Sequence, residues 1–330
     1  MTDVASRRAV VRATLLVAFS ACCFGSISPL TLIALDHGVA LQGIQAWRYV
    51  TTAVLFALYA AWRPAATTAL RGDPNRPANR AATPEPWYSP RILLIAGGGQ
   101  ATVATLALLA LRWIPAATEA FLFYTFPAWV AIIMAVRGVE RIDRHRGMAL
   151  GLALAGIAIM VGAPDAASLH PAGVALALGA GIVYALYIPV LSTLQHARAP
   201  LDVSRAITVG GSLVFLTWAL LTGSLFAHFD GVAVAASVGQ GVLSAGAFLG
   251  FLAGLSKLGA VRTAITSTVE PFWTSLLGVA VLGQGIGVGT IVGGLFIMAA
   301  VLLLQRPPVA RGRLHSSSRH EGDPNGRPIP

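Results

Sequence analysis

Long apolar runs recur along the chain, separated by short polar or basic stretches. A helix that crosses a bilayer needs about 20 mainly apolar residues, since each residue advances the helix by about 1.5 Å. Ten runs meet this length. They lie approximately at 14–35, 42–61, 92–111, 115–136, 147–163, 172–194, 203–223, 234–255, 260–283 and 286–304. The pattern therefore predicts an all-α membrane protein with about ten transmembrane helices.

Composition also favours a membrane protein. Hydrophobic residues make up 56% of the 330 residues, charged residues only 11%, and the mean hydropathy is +0.73. Soluble domains average about 45–50% apolar and about 25% charged residues. A soluble fold has too little interior to bury this many apolar side chains, so we expect most of the helices to face a lipid bilayer.

Basic residues are distributed unevenly between the two alternating sets of connections. Of the 23 Lys and Arg residues, 21 fall in the set that includes both termini, Arg112 falls in the other set, and Arg48 lies within an apolar run. Cells retain basic loops on the cytoplasmic side of a membrane. The bias predicts a multi-pass protein of the cell membrane with both termini in the cytoplasm, residues 1–13 among them.

Two longer segments are polar. Residues 63–91 are rich in Pro, Ala and Arg, and residues 305–330 are rich in Arg, Ser, Pro and His. Both compositions predict disordered cytoplasmic segments. The net charge of +10 does not indicate nucleic-acid binding, because the basic residues lie between apolar runs and not on one folded face.

Motifs for known enzyme chemistry are absent from the sequence. It contains no His-Glu-x-x-His zinc motif, no Walker sequence and no Gly-x-Ser-x-Gly nucleophile elbow. We therefore predict no catalytic residue, no metal ligand and no cofactor, and we do not expect an enzyme.

An internal repeat relates the two halves of the chain. When residues 116–129 are aligned with residues 260–273, Pro127 falls on Pro271, and at the same offset Glu140 falls on Gln284. A repeat of five spans reverses the orientation of its second copy, since an odd number of crossings leaves the chain on the opposite side. The sequence therefore predicts two inverted five-helix repeats. They comprise residues 14–163 and 172–304.

Several stretches resemble a known family. They are Trp47-Arg48-Tyr49, Val269-Glu270-Pro271-Phe272-Trp273, the apolar stretch from Leu276 to Gln284, and the glycine-rich last span. Over about Thr14 to Leu304 the chain resembles the ten-helix EamA branch of the drug/metabolite transporter superfamily, although members usually carry Glu where this chain has Gln284. The resemblance implies a secondary carrier, often an exporter, of amino acids, nucleobase-like compounds, other metabolites or drugs.

The leading hypothesis is a transporter that works by alternating access, with a small-molecule substrate bound between the halves. A passive channel and an intramembrane enzyme are the alternatives, and kinetics would separate them, because a carrier saturates and shows counterflow. Protons as a coupling ion and a second copy of the chain in a homodimer are further hypotheses.

Three ionisable residues fall within apolar runs, where a charge is costly and therefore indicates function. They are Arg48, Glu119 and Glu270. Glu270 lies near the middle of its span, and the hydroxyl residues Thr266, Ser267 and Thr274 share its side of a regular helix. This stripe predicts that Glu270 faces a hydrated cavity. The alternative is that Glu270 is a buried structural group. For Arg48 there are two hypotheses: its guanidinium binds a carboxylate, or its side chain extends to the membrane interface. Glu119 is close enough to the outer end of its span to be solvated.

Aromatic residues and prolines mark further candidate positions. Tyr124, Trp129, Tyr184 and Tyr187 bring polar groups to the predicted interface between the repeats, where such carriers bind substrate, although packing against lipid is the commoner use. Prolines free backbone groups and predict helix hinges at four positions. These are Pro29, Pro127, Pro189 and Pro271.

Overall fold

The computed structural model describes residues 2–62, 85–114, 116–140, 142–162, 170–227, 229–282 and 287–304. Within these ranges the chain forms helices joined by short connections, with no β-strand. The α-helices are α1 (Thr2–Gly25), α2 (Ile27–Asp36), α3 (Leu41–Trp62), α4 (Pro90–Leu93), α5 (Gly99–Ala110), α6 (Ala116–Phe123), α7 (Phe126–Val136), α8 (Arg144–Val161), α9 (Pro171–Gln195), α10 (Pro200–Leu221), α11 (Gly231–Leu258), α12 (Ala260–Thr266), α13 (Val269–Leu282) and α14 (Val288–Leu304). A π-helical turn, Leu94–Gly98, joins α4 to α5.

An all-helical membrane protein is confirmed, and helices occupy each of the ten predicted runs in the described ranges. Seven segments are long and apolar enough to cross a membrane, and α14 is a shorter apolar helix of 17 residues. The seven are Arg8–Asp36, Pro90–Ala110, Thr118–Val136, Arg144–Val161, Pro171–Gln195, Pro200–Leu221 and Gly231–Leu258. The number ten stays a prediction.

Two predicted boundaries differ from the structure. Helix α1 begins at Thr2 and not near residue 14, because the Ala, Val and Arg residues of the N-terminus continue the helix. The predicted disordered loop 63–91 is ordered from residue 85, since Arg205 lies over the Trp87 ring and Ser89 caps α4. The predictions for residues 63–84 and 305–330 lie outside the described residues.

Three of the predicted proline hinges follow a break in a helix. Pro29 lies in the first turn of α2, Pro127 in that of α7, and Pro271 in that of α13. Proline has no N–H to donate to the preceding turn, and it is tolerated at a helix start for that reason. Pro189 differs, because it lies inside the continuous helix α9. The hinge at Pro189 therefore stays a prediction, since a proline inside a helix removes one backbone hydrogen bond without ending the helix.

Helix contacts pair the two halves of the chain. The second helices of each predicted half, α3 and α10, pack together, as do the last helices, α8 and α14. The first helix of each half packs on the third helix of the other half, since α1 contacts α11 and α9 contacts α5. Helix α7 also contacts α12, where the two broken helices meet. Apart from the contact of α7 with α12, each of these contacts keeps its form when the halves are exchanged.

Side-chain contacts distinguish two ends of the bundle. At the basic end, Arg146 pairs with Glu140 and Arg205 lies over Trp87. At the opposite end, called the far end, His37 pairs with Asp230 at 2.5 Å. Asp230 also caps α11 by accepting the N–H of Ala233, and this bond, together with His37, holds the pKa of the Asp230 carboxyl below its usual value.

Glycines set the distance between α8 and α14. A Cβ on Gly156 would lie 2.6 Å from the carbonyl oxygen of Gly293, and a Cβ on Gly293 would lie 2.4 Å from that of Gly156. Backbone atoms cannot move aside without separating the helices, so both positions require glycine. Close packing through small residues is a common way for membrane helices to associate.

We expect Gly156→Ala to destabilise the protein by about 1–3 kcal/mol, because overpacking pushes α14 away from α8. Gly151→Ala on the same helix is the matched control, since a Cβ there meets no heavy atom within 4 Å. Thermal unfolding in detergent compares the two variants. Equal melting temperatures would show that the close contact does not limit stability.

Candidate functional site

A central cavity lies between the halves of the bundle, beside the helix breaks. It encloses about 720 Å³, counting its mouth. Its lining comes from nine helices and from Ser267 in the break between α12 and α13, and both predicted halves contribute to it. The lining residues are Ala21, Phe24, Arg48, Gln100, Val103, Phe123, Phe126, Tyr184, Leu191, Ile207, Phe248, Phe251, Ser267 and Glu270.

Glu270 lies in the first turn of α13, directly after the break at Ser267–Thr268. Its carboxyl group lies within electrostatic reach of the Tyr124 hydroxyl and of Arg48. A carboxylate at a helix N-terminus is stabilised by the helix dipole. The break in the helix therefore brings an acidic group to the cavity at a position where its charge is partly compensated.

Arg48 lies inside the bundle, with 8% of its surface exposed. Its Nε donates to Ser244 Oγ at 2.7 Å, and its Nη1 donates to Gln45 Oε1 at 3.3 Å. These bonds hold the guanidinium between α3 and α11, beside the cavity. The alternative that Arg48 extends to the membrane interface is therefore wrong.

Aromatic rings form one wall of the cavity around Tyr184. The Tyr184 ring stacks on Phe123 with centroids 5.6 Å apart, meets the edge of Phe126 at 4.8 Å, and stacks on Phe251 at 6.4 Å. Flat apolar surfaces of this kind favour a ligand with a flat apolar part. The wall faces the same cavity as Arg48 and Glu270.

Two of the predicted aromatic residues serve the fold and not the lining. The Tyr187 hydroxyl donates to the Ala96 carbonyl, and the Tyr187 ring packs where Gly99 leaves room on α5. Trp129 donates its Nε1–H to Thr125 Oγ1 at 3.2 Å, next to the break between α6 and α7. Neither residue lines the cavity.

The predicted hydroxyl stripe beside Glu270 is not continuous, because the break at Ser267–Thr268 changes the helical register. Ser267 lines the cavity. Thr266 bonds the carbonyl of Arg262 in its own helix, and Thr274 bonds the Gly25 carbonyl of α1 at 3.1 Å. Only Ser267 of these three therefore adds to the cavity.

Glu119 lies half-buried in the first turn of α6 and does not line the cavity. Its charge nevertheless acts on Glu270 and Tyr124, which places the two carboxyl groups within electrostatic reach of each other. The predicted group of three ionisable residues is thus brought together, with Arg48 and Glu270 at the cavity and Glu119 behind them.

Sequence reasoning missed ten of the fourteen lining residues, among them Gln100, Phe123, Phe248 and Phe251. Gln100 had a usable signal, because it is an amide within an apolar run and follows three glycines. The phenylalanines had none, since an aromatic side chain that faces lipid has the same sequence appearance as one that faces a cavity.

Comparison with known proteins identifies the family. The model of the EamA-like transporter family matches residues 171–306, which comprise α9 to α14. Over these residues the chain is similar to the EamA-like transporter family. This confirms the resemblance seen in the sequence, and the EamA assignment together with the helical fold supports a membrane transporter of the drug/metabolite type.

The fold is also found in a solved structure described only as a crystal structure of a protein. The two chains superpose with a TM-score of 0.72 over 88% of this chain and 96% of that chain, at 15% sequence identity. At this identity the likeness shows a shared fold. No curated protein matches the sequence.

Proposed function

We propose that this EamA-like protein is a secondary transporter that binds a small metabolite in the central cavity and exposes it to each side of the membrane in turn. The observation that carries the proposal is the cavity itself, which lies between the halves and joins Arg48 and Glu270 to an aromatic wall. Sites at the interface of repeats, beside broken helices, are typical of secondary transporters.

Two inverted repeats are part of this proposal. The breaks at Tyr124–Thr125 and at Ser267–Thr268 fall in the two segments that the sequence alignment pairs, shortly before Pro127 and Pro271. The exchange-symmetric helix contacts support the same relation between residues 14–163 and 172–304. A pseudo-two-fold axis in the membrane plane follows from an odd number of spans per repeat.

The orientation follows from charge. The basic end of the bundle carries the ion pair of Glu140 with Arg146, and the same end carries Arg198 and Arg205. We propose that this end faces the cytoplasm of a cell membrane, with both termini on that side. We propose export as the direction of transport, which in this orientation runs from the basic end to the far end.

The substrate class follows from the lining. Arg48 offers hydrogen-bond donors to a carboxylate or a similar anionic group, and Glu270 offers an acceptor for an ammonium group or a proton. The ring of Tyr184 and its neighbours suit a flat apolar part. Amino acids, nucleobase-like compounds and drugs of this shape are the proposed substrates, with protons as the coupling ion.

An untargeted comparison of metabolites tests the proposal. Cells that make the full chain are compared with cells that make the folded Arg48→Ala variant, both inside the cells and in the medium. We expect at least one small metabolite to move from cells to medium only with the unaltered chain. Identical pools would contradict transport, and a metabolite that is chemically converted without leaving the cell would favour the enzyme alternative.

A further inference from the structure

A row of buried polar side chains on α11 leads from Arg48 toward the far end of the bundle, outside the lining of the central cavity. The row consists of Ser237, Gln240 and Ser244, spaced three and four residues apart, so that all three lie on one face of the helix. We call this row the α11 polar track. It extends about 10 Å along the axis, at about 1.5 Å per residue.

Every member of the α11 polar track is buried, since Gln240 and Ser244 are 0% exposed and Ser237 is 1% exposed. Ser244 accepts the hydrogen bond from Arg48, and Gln240 Oε1 accepts one from Thr31 Oγ1 at 3.3 Å. Two atoms of the track, Ser237 Oγ and Gln240 Nε2, have no partner among the described residues.

These two unpartnered groups indicate water. Buried hydroxyl and amide groups are almost always hydrogen-bonded, and an internal water is the usual partner where protein atoms do not serve. Ser237 and Gln240 are three residues apart on one face of α11, so their Cβ atoms lie about 5–6 Å apart, a distance that a single water molecule can bridge. The bonded and unbonded groups together place polar atoms at successive turns from Ser237 to the Arg48 guanidinium.

The route is narrow and closed at the far end. A Cβ on Gly241 would lie 2.5 Å from Thr51 Cβ, so α3 and α11 are in contact beside the track and leave no space for a metabolite. Toward the far surface an apolar cluster covers the track. The cluster comprises Ala34, Val39, Ile44, Ala233 and Ala236.

We propose that the α11 polar track is a water-conducting path that connects Arg48 and the central cavity with the far side, separate from the substrate route, and that it opens when the apolar cluster separates. Water, and protons along it, would then reach the charged groups without passage through the cavity mouth. This goes beyond the proposed function, since it concerns the supply of water and not the binding of a metabolite.

Cysteine labelling tests the path in the full chain, after Cys22 and Cys23 are replaced by alanine. Ser237→Cys and Gln240→Cys probe the track, and the controls on the same helix are Val238→Cys and Val242→Cys, whose native side chains are 39% and 53% exposed on the outer surface of the bundle. A thiol reacts as the thiolate, which forms in water and not in lipid. The probe is the silver ion, which binds thiolates, does not cross lipid and is small enough to follow water; it is added to each side of the membrane separately.

We expect both track cysteines to react from the far side at least about tenfold faster than both controls, in proportion to their larger thiolate fraction. Size-exclusion profiles identify the variants that fold, and two probe positions keep the test valid if one variant does not. Failure of both folded track variants to react, or equal rates in track and control variants, would overturn the path. Transport by the cysteine-free chain is measured in parallel. If the track cysteines do not react and transport is normal, the path is refuted and the proposed function is not.

Discussion

Replacing Glu270 by alanine is expected to lower transport by about tenfold to a hundredfold, which corresponds to the loss of one hydrogen-bonded charge worth about 1.5–3 kcal/mol. Glu270 lines the cavity, and its carboxyl group lies within electrostatic reach of Tyr124 and Arg48. Uptake into proteoliposomes, expressed per folded molecule, measures the effect. Glu85→Gln is the matched control, because Glu85 lies outside the cavity and its described partner, Arg198, bonds only its main-chain carbonyl.

Glu270→Gln separates proton coupling from a structural role. The amide keeps the shape of the protonated acid, so the variant should still exchange substrate while it loses the component of transport that a pH gradient drives. Uptake with and without the gradient distinguishes the two roles. An unaltered response to the gradient in the variant would end the coupling proposal, and a lower yield of folded protein with normal transport per molecule would indicate a structural group.

Glu140→Ala is expected to open the basic end of the bundle. Glu140 lies between α7 and α8, and its Oε1 accepts the N–H of Ala260 at 2.8 Å, which caps α12 in the other half. Its Oε2 pairs with Arg146 at 3.0 Å. Removal of the cap should weaken this contact between the halves by about 0.5–2 kcal/mol, the usual contribution of a helix cap. Reaction of a Ser267→Cys probe in the cavity, with reagent added at the basic end, should therefore become about 2- to 30-fold faster.

Asp143→Ala is the matched control for Glu140→Ala. Asp143 lies in the same connection and accepts the N–H of Arg146 at 2.8 Å, so it caps α8 within its own half. Its removal should lower thermal stability without raising the reactivity of the cavity probe. Equal reactivity in the two variants would show that Glu140 is an ordinary cap and does not hold the halves together.

The sequence predicted the helices and the charged part of the site for a clear physical reason. A charge within an apolar run is costly in lipid, so Arg48 and Glu270 could be recognised without knowledge of the fold. Glycine and proline positions likewise restrict the backbone, which is why Pro127 and Pro271 marked the two helix breaks.

Predictions that depended on helix register were weaker. The alignment of Thr266 and Thr274 with Glu270 assumed one regular helix, and the break at Ser267–Thr268 rotates these residues away from each other. Tyr187 and Phe251 show the same limit, since whether an aromatic ring lines a cavity depends on how the helices pack. That packing is set by close contacts such as the one between Gly97 and Gly210, which only the folded structure contains.

Counterflow in proteoliposomes tests most directly whether the central cavity carries a metabolite across the membrane. Vesicles that contain the purified full chain are loaded with the unlabelled metabolite identified in the cell comparison, and a trace of labelled metabolite is added outside. A carrier that alternates between two sides should accumulate the label transiently above its outside concentration, saturate with substrate, and lose both properties in Arg48→Ala. A flux that rises linearly with concentration and is not stimulated by substrate on the opposite side would contradict alternating access and indicate a channel.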